Sequence, residues 1–173
     1  LNQATQKFER WSKAPILERN KINPFINTAP YVVEWKNELL MYYVAGVEWV
    51  HADLPRYNIQ IAQSKDGFNW VRHGQIAIDF EEGENALARP FVFEDNGILK
   101  MLFSSKGNRY SMMYAESKCG FEWKRKKFVN SSKIIENMDD DMQCYPVLID
   151  KNKILFNGNG YGKTGIMIGE ISL

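Results

Sequence analysis

Apolar and polar residues alternate in short runs along most of this chain, and turns containing Asn or Gly separate the runs. The run Tyr-Asn-Ile-Gln-Ile-Ala-Gln at 57–63 is typical, and Leu-Met-Tyr-Tyr at 40–43 belongs to another. A period of two residues is that of a half-buried β-strand, and short runs joined by polar turns are typical of β-hairpins. The pattern therefore predicts an all-β protein made of antiparallel strands.

Three consecutive segments share one order of these elements. Each begins with a run that contains proline: Ala-Pro-Tyr-Val at 29–32, Arg-Pro-Phe-Val at 89–92 and Tyr-Pro-Val-Leu at 145–148. The prolines recur at intervals of 60 and 56 residues, and proline suits the first residue of a strand, where no ladder N–H is needed. Repeats of this size predict the blades of a β-propeller, each with four antiparallel strands.

Two of the copies also share a turn motif, Ser-x-[Asp/Cys]-Gly-Phe-x-Trp, at 64–70 and 117–123. Ser and Asp side chains accept hydrogen bonds from nearby backbone amides, and Gly tolerates a positive φ. The Trp is expected to pack between neighbouring sheets. Cys119 takes the Asp position in the second motif, so we expect that turn to lose one side-chain acceptor.

The repeat predicts one partial propeller domain over residues 1–173. In this interpretation residues 1–23 end a preceding blade, and 24–79, 80–135 and 136–173 are three blades, the last without a clear fourth strand. A propeller closes with at least about four blades. We therefore expect the ring to be completed by a missing N-terminal part of the protein or by a second chain.

Composition and charge narrow the classes of partner. Hydrophobic residues make up 45%, charged residues 25% and aromatic residues 13% of the chain, which fits a globular protein rich in strands. The formal net charge of +1 argues against a nucleic-acid groove, and no apolar stretch is long enough to span a bilayer. The single basic cluster, Lys-Arg-Lys-Lys at 124–127, is interpreted as a solvated turn. No signal peptide is apparent at the start of the chain, so we expect a cytoplasmic protein without nucleic-acid or membrane partners.

The order of proline-containing strand, Met-Tyr-Tyr hairpin and Ser-x-Asp-Gly-x-x-Trp turn resembles the five-bladed propeller glycosidases of glycoside hydrolase families 43 and 32. Two segments, Asp-Asp-Asp-Met-Gln-Cys-Tyr-Pro at 139–146 and Phe-Asn-Gly-Asn-Gly-Tyr-Gly at 156–162, are similar to relatives encoded with bacterial surface-polysaccharide genes. The resemblance implies the third, fourth and fifth blades of a protein that acts on a glycan or sugar conjugate in a central funnel.

The resemblance also implies where catalytic carboxylates would lie. Two of them would be on the first two blades, outside this sequence, and a general-acid Glu would stand just before Pro30. This chain has Asn-Thr-Ala at 27–29 there. Thr28 cannot replace a carboxylic acid as the proton donor to a leaving group, so the usual chemistry of the family is not complete in this segment.

The segments that lead into the other two prolines supply candidate catalytic residues. Before Pro90, Glu84 is a substitute acid or an acceptor for a sugar hydroxyl, and Arg89 would bind a carboxylate or hold Glu84 ionised. The alternative is that the acidic residues at 81–84 form a solvated loop. Before Pro146, Asp141 is the second catalytic candidate, although the Asp run that ends there is also typical of a turn.

The same segments, with Arg89 and Tyr145, and the loops between second and third strands supply the candidates for substrate binding, since an aromatic ring such as Trp49 offers an apolar platform to a sugar face. The residues expected to bind substrate are Arg89, Trp49, Arg109, Tyr145, Asn157, Asn159 and Tyr161. The glycine-rich run lacks the Lys-Ser/Thr pair and the helix of a phosphate loop. No cofactor is predicted, and no metal site is assigned.

Three functional hypotheses remain open at this point. The first is a glycoside hydrolase-like enzyme, provided that the missing blades supply the catalytic Asp residues. The second is a sugar-binding propeller without catalysis, and the third is an interaction scaffold, since propellers carry many unrelated functions.

Overall fold

The computed structural model describes residues 1–127, 129–130 and 137–173, and strands dominate it. The first blade is a four-stranded antiparallel sheet that consists of β1 (Asn27–Trp35), β2 (Glu38–His51), β3 (Leu54–Ser64) and β4 (Ile76–Ile78). The second repeats the same order with β5 (Ala86–Asp95), β6 (Ile98–Lys106), β7 (Tyr110–Ser117) and β8 (Lys124–Lys126). The predicted all-β fold with blades of four antiparallel strands is confirmed.

The outermost strand of the third blade precedes the other three strands of that blade in the sequence. It contains β9 (Val129–Asn130), β10 (Cys144–Asp150), β11 (Lys153–Asn157) and β12 (Ile166–Ser172), in the spatial order β10, β11, β12, β9. The expectation that this blade lacks a fourth strand is wrong, because β9 pairs with the end of β12. A strand of two residues is too short to show a period. The predicted boundary at 135/136 lies outside the described residues.

The same irregularity interrupts the first strand of every blade at its proline. The pairing register shifts across residues 28–31, 88–91 and 144–147. The residue before each proline has a left-handed backbone, with φ of 46° at Ala29, 52° at Arg89 and 60° at Tyr145. Such values are uncommon for residues other than Gly, and bulges of this kind redirect a side chain. Each blade therefore presents one redirected side chain at an equivalent position.

The first two blades pack face to face through an apolar core, and the turn motif contributes to it as predicted. The Trp123 ring meets the Tyr42 ring edge-on, with centroids 5.3 Å apart. The Tyr42 hydroxyl also donates to the Gly120 carbonyl at 2.8 Å. Trp123 thus joins the second blade's turn to the first blade's sheet, which confirms the expected packing between sheets for the second motif, whereas Trp70 of the first motif packs against an apolar cluster of its own blade.

The two turns are held by the side chains that the motif predicts. In the first, Ser64 Oγ accepts from the Gly67 amide at 2.9 Å, and Asp66 Oδ1 accepts from the Phe68 amide at 2.9 Å. In the second, Cys119 Sγ accepts from the Glu122 amide at 3.3 Å. The acceptor is therefore weakened, and not lost as expected, because sulfur is a poorer acceptor than a carboxylate oxygen.

The third blade buries one face against the second blade and leaves the other open. Ile154 and Phe156 pack on Leu102 and Tyr114 of the second blade. The opposite face exposes four aliphatic side chains, with exposed fractions of 42% for Val147, 49% for Ile149, 73% for Ile166 and 65% for Ile168. We call these four residues the open apolar face.

The N-terminal segment covers the outer face of the first blade. Leu17 packs against the apolar cluster there, and the fully buried Asn23 donates to Gln60 at 2.8 Å and accepts from Tyr43 at 2.8 Å. Within residues 1–26 the strand pairing is limited to one isolated bridge, between Asn2 and Lys7. The assignment of residues 1–23 to a preceding blade stays a prediction. No helix in the described ranges is long and apolar enough to cross a membrane.

Candidate functional site

A cavity of about 470 Å³ lies where the three proline-containing strands approach one another. Its lining consists of Ala29, Pro30, Tyr31, Arg89, Pro90, Phe91, Tyr145, Pro146, Val147 and Asn157. The residue at each of the three bulges is among them, because the bulge turns its side chain out of the alternating pattern of the strand. The residues that directly precede the repeated prolines therefore border one cavity, whereas Glu84 and Asp141, further back in the same segments, do not line it.

Arg89 gives this cavity its charge. Its guanidinium carbon lies 5.6 Å from the centroid of the Tyr145 ring, within the range of a cation–π interaction. Burial raises the pKa of Tyr145 to about 12 and also raises the pKa of Tyr31. Both phenols are therefore neutral at pH 7 and able to donate hydrogen bonds beside the cation.

A cluster of tyrosines adjoins the cavity at the same end of the blades. The Tyr110 ring centroid lies 5.5 Å from that of Tyr145 and 5.9 Å from that of Tyr161. The hydroxyls of Tyr57 and Tyr110 are 2.6 Å apart. Lys106 stands over this cluster, with Nζ 5.6 Å from the Tyr110 centroid. We call Tyr57, Tyr110, Tyr145 and Tyr161 the tyrosine cluster.

Three of the predicted binding residues meet at this place. Asn157 lines the cavity and donates from Nδ2 to the Tyr161 carbonyl at 3.0 Å. Tyr161 lies in the short turn α1 (Asn159–Gly162), in which Gly160 and Tyr161 have left-handed φ of 61° and 62°, so the turn is not a regular helix. The Tyr161 ring is 6.4 Å from that of Tyr145, and Tyr161 is half exposed. The glycine-rich run thus forms a loop that presents Asn and Tyr side chains.

Asp141 and Arg109 form an ion pair beside the tyrosine cluster. Arg109 Nη1 contacts Asp141 Oδ1 and donates to the Asp141 carbonyl at 3.1 Å, and both side chains are mostly exposed. Neither residue lines the cavity. The catalytic role of Asp141 and the binding role of Arg109 stay predictions, and the geometry shows them engaged with each other.

Asn159 supports the turn that carries the Asp run. Its Oδ1 accepts from the Asp141 amide at 3.0 Å and the Met142 amide at 2.7 Å, and its Nδ2 donates to Asp140 at 3.0 Å. The hydrogen bond from Asn159 is the main cause that lowers the pKa of Asp140. These contacts favour the interpretation of the run as a turn. Within the described part of the chain, no group of three or more acidic, His or Cys residues is placed to hold a metal ion.

Glu84 is the buried partner of an arginine from a different strand. Its two oxygens accept from Arg125 Nη1 at 2.8 Å and Nη2 at 2.7 Å, and Ser105 Oγ also donates to it. Burial alone would raise its pKa, but the hydrogen bonds from Arg125, the Glu81 amide and Ser105 together hold the pKa below its ordinary value. Glu84 is therefore an ionised carboxylate at neutral pH, and its role as a catalytic acid stays a prediction that this geometry does not favour.

The basic cluster at 124–127 is not a solvated turn, because its first three residues form strand β8. Alternate residues of a strand point to opposite faces. Lys124 and Lys126 are exposed, whereas the Arg125 side chain is only 13% exposed and binds Glu84. Arg89 consequently does not hold Glu84 ionised, because Arg125 does so.

Trp49 lies in the corresponding hairpin of the first blade. Its Nε1–H donates to the Ala52 carbonyl at 3.0 Å, and its ring centroid is 6.2 Å from that of Phe25. The ring is 44% exposed. Its role as a sugar platform stays a prediction, since its contacts are with Phe25 and not with the tyrosine cluster.

Sequence reasoning missed Tyr57, Tyr110 and Lys106 as parts of this site. Tyr57 and Tyr110 open the second half of their copies at equivalent positions, and that repetition was a usable signal. Their meeting across blades depends on the parallel bridge between Tyr57 and Ala86 that joins β3 to β5. A contact between blades leaves no local pattern in the sequence.

Comparison with known proteins places the chain among uncharacterised relatives. It is 31% identical to the uncharacterised protein Rv1502 of Mycobacterium tuberculosis, in a match that covers 95% of this chain and 57% of the relative. The chain thus spans a little over half the length of that relative. No family model matches it.

Solved structures with the same fold include carbohydrate-active enzymes. A glycoside hydrolase superposes with a TM-score of 0.56 at 18% identity, covering 78% of this chain and 41% of the other. The Bombyx mori β-fructofuranosidase of glycoside hydrolase family 32 gives 0.55 at 14% identity, covering 79% and 32%. At these identities the likeness establishes the fold alone.

Proposed function

We propose that this chain is part of a glycoside hydrolase-like propeller and that it binds a glycan or sugar conjugate at the channel mouth. The observation that carries the proposal is the cavity at the three bulges, which combines Arg89 and Asn157 with the ring of Tyr145, the member of the tyrosine cluster that lines it. Sugar sites pair flat apolar surfaces with a few oriented polar groups, and both are present here.

The fold of the solved neighbours supports the same proposal, because it is shared with glycoside hydrolases that act on sugars. The resemblance of the sequence motifs to glycoside hydrolase families 43 and 32 agrees with it. A fold does not fix a function, so the argument depends on the site.

A binding role without catalysis by this segment is the second candidate, and one observation favours it. No residue lining the cavity is a carboxylate, and Glu84 is ionised by its contact with Arg125. Hydrolysis by acid and base needs two carboxyl groups. In our proposal these groups, if the protein is an enzyme, come from the rest of the protein.

Calorimetry with polysaccharide fragments, run beside a hydrolysis assay, tests the proposal. Binding with turnover supports the hydrolase, and binding without turnover supports the sugar-binding propeller. A Glu84→Gln variant that retains turnover removes Glu84 from the chemistry. Absence of binding to every fragment would refute the carbohydrate function.

We further propose that the ring is completed by the remainder of the protein to give five blades. Three blades occupy 57% of the length of the curated relative, which leaves room for about two more of the same size. The open apolar face is the surface on which a next blade would pack, since contiguous apolar patches mark interaction sites. A second chain is the alternative partner. Mass measurement of the full-length protein separates the two, because a monomer excludes closure by a second chain.

The cellular context is a separate proposal. We propose a cytoplasmic bacterial protein encoded beside surface-polysaccharide genes, with a carbohydrate ligand and no nucleic-acid or membrane partner. Fractionation of the source cells tests the location.

A further inference from the structure

The channel cavity has one charged side chain and no charge of opposite sign to match it. Of the residues that line the cavity, Arg89 alone is charged at neutral pH. The rest are apolar or neutral, and Asn157, Tyr31 and Tyr145 supply hydrogen-bonding groups. The described residues include no ion-pair partner for Arg89, whose side chain is exposed.

The two carboxylates that the sequence predicted for this site are each paired with another arginine. Glu84 binds Arg125 in a forked pair. Asp141 binds Arg109. Arg89 is consequently left as a free guanidinium beside neutral hydrogen-bond donors, which is an arrangement that suits an anion.

The backbone at Arg89 is strained, and the strain serves to place this side chain. Its φ of 52° is in the left-handed region, which costs a residue other than Gly of order 1 kcal/mol or more. Ala29 and Tyr145 occupy the same position in the other two blades. The bulge therefore tolerates several side chains, and an Arg there directs a cation into the channel.

We propose that the glycan bound at this site carries a carboxylate and that Arg89 recognises it. This inference rests on the proposed carbohydrate function. The planar guanidinium matches a carboxylate with two parallel hydrogen bonds. The sugar ring that bears the carboxylate would lie beside Tyr145, whose ring centroid is 5.6 Å from the guanidinium carbon.

The test compares acidic polysaccharides with neutral counterparts that differ in one group. Fragments of alginate, hyaluronan and polygalacturonate are titrated into the full-length protein in native and carboxyl-reduced forms. We expect at least one native fragment to bind about tenfold or more tightly than its reduced form, the size of a lost charge-assisted pair. Arg89→Ala should remove this preference while the reduced form still binds. Arg89→Lys should keep only part of it.

Two controls keep the result interpretable. Arg10→Ala removes an exposed arginine of the N-terminal segment, and its binding should equal that of the unchanged protein. Arg89→Ala reproduces the residue that the first blade has at the same bulge, so its circular dichroism and melting temperature should stay close to those of the parent.

Three outcomes overturn the inference. Equal binding of native and reduced fragments refutes the carboxylate while leaving the carbohydrate function intact. Competition by inorganic phosphate, without any preference for carboxylates, assigns the cation to phosphate instead. Failure of every fragment to bind refutes both this inference and the proposed function.

Discussion

The Glu84–Arg125 pair permits the sharpest prediction about stability. We consider Glu84→Gln, which keeps the shape of the side chain and removes its charge. Both side chains are largely buried, with 12% and 13% of their surfaces exposed, and two hydrogen bonds of 2.8 and 2.7 Å join them. Loss of the Glu84 charge removes the buried counter-charge of the guanidinium and leaves only the exposed Glu81, 3.5 Å from Arg125 Nε, as an acidic partner.

Breaking a buried pair costs about 3–5 kcal/mol, and the residual exposure together with the remaining Glu81 places the expected loss at the lower end, about 3 kcal/mol. For a domain of this size that corresponds to a fall in Tm of roughly 6–12 °C. Urea unfolding followed by circular dichroism measures the free energy of unfolding directly. Glu82→Gln, which changes an exposed residue of the same loop, should alter it by less than about 0.5 kcal/mol.

The dependence of stability on pH provides an independent check. The pKa of Glu84 is lower in the folded protein than in the unfolded chain. Its carboxylate therefore stabilises the fold fully above the unfolded pKa of about 4.3, and the stabilisation is lost as the pH falls through the lower folded value. The difference between the parent and Glu84→Gln should be constant near neutrality and shrink below about pH 4.

A double-mutant cycle with Arg125→Met completes the test. The coupling between the two sites should be at least about 1 kcal/mol, because each side chain is the other's principal partner. A loss below about 0.5 kcal/mol in Glu84→Gln, or additive single and double variants, would refute the claim that this pair supports the fold.

Four further substitutions test the turns and the tyrosine cluster by measurements of unfolding. Gly120→Ala should lower the free energy of unfolding by about 2–3 kcal/mol, because its φ is +88° and a Cβ would lie 2.6 Å from Leu40. Gly97→Ala, with φ of +75° and open space around it, should lower it by about 1 kcal/mol. Equal losses would contradict the close packing of the second turn. Cys119→Asp should raise Tm by roughly 1–2 °C, because a carboxylate accepts hydrogen bonds from the turn amides better than sulfur does. A lower Tm would contradict this explanation of the turn. Tyr57→Phe should cost about 1 kcal/mol, since it removes the 2.6 Å contact with its partner tyrosine, and an unchanged stability would show that water replaces that hydroxyl.

The fold was predictable because short sequence patterns recur at regular intervals along the chain. The prolines at 30, 90 and 146 and the two Ser-x-[Asp/Cys]-Gly-Phe-x-Trp turns recur in phase, and each copy encodes its own hairpins. The fourth strand of the third blade was not predictable in this way. Strand β9 is two residues long, and its partner β12 lies about 40 residues further along the chain, so no local pattern announces the pairing.

The cavity at the repeated prolines was predictable, but the contacts of the candidate residues were not. The residues before the prolines do border a cavity, because the repeat fixes equivalent positions at one end of the blades. The pairing of Glu84 with Arg125 joins positions 41 residues apart in sequence. The burial of the Arg125 side chain was not predictable, because a run of basic residues gives no indication of which member faces inward.

The bulge before each proline has a consequence for how such a protein can change its ligand. The three blades hold Ala, Arg and Tyr at one equivalent point, while the strand pairing on either side is the same in kind. All three residues line the cavity, so substitution at these points would change the cavity lining while the strand pairing on either side is maintained by other residues. The chain therefore has one variable position of this kind in each repeat.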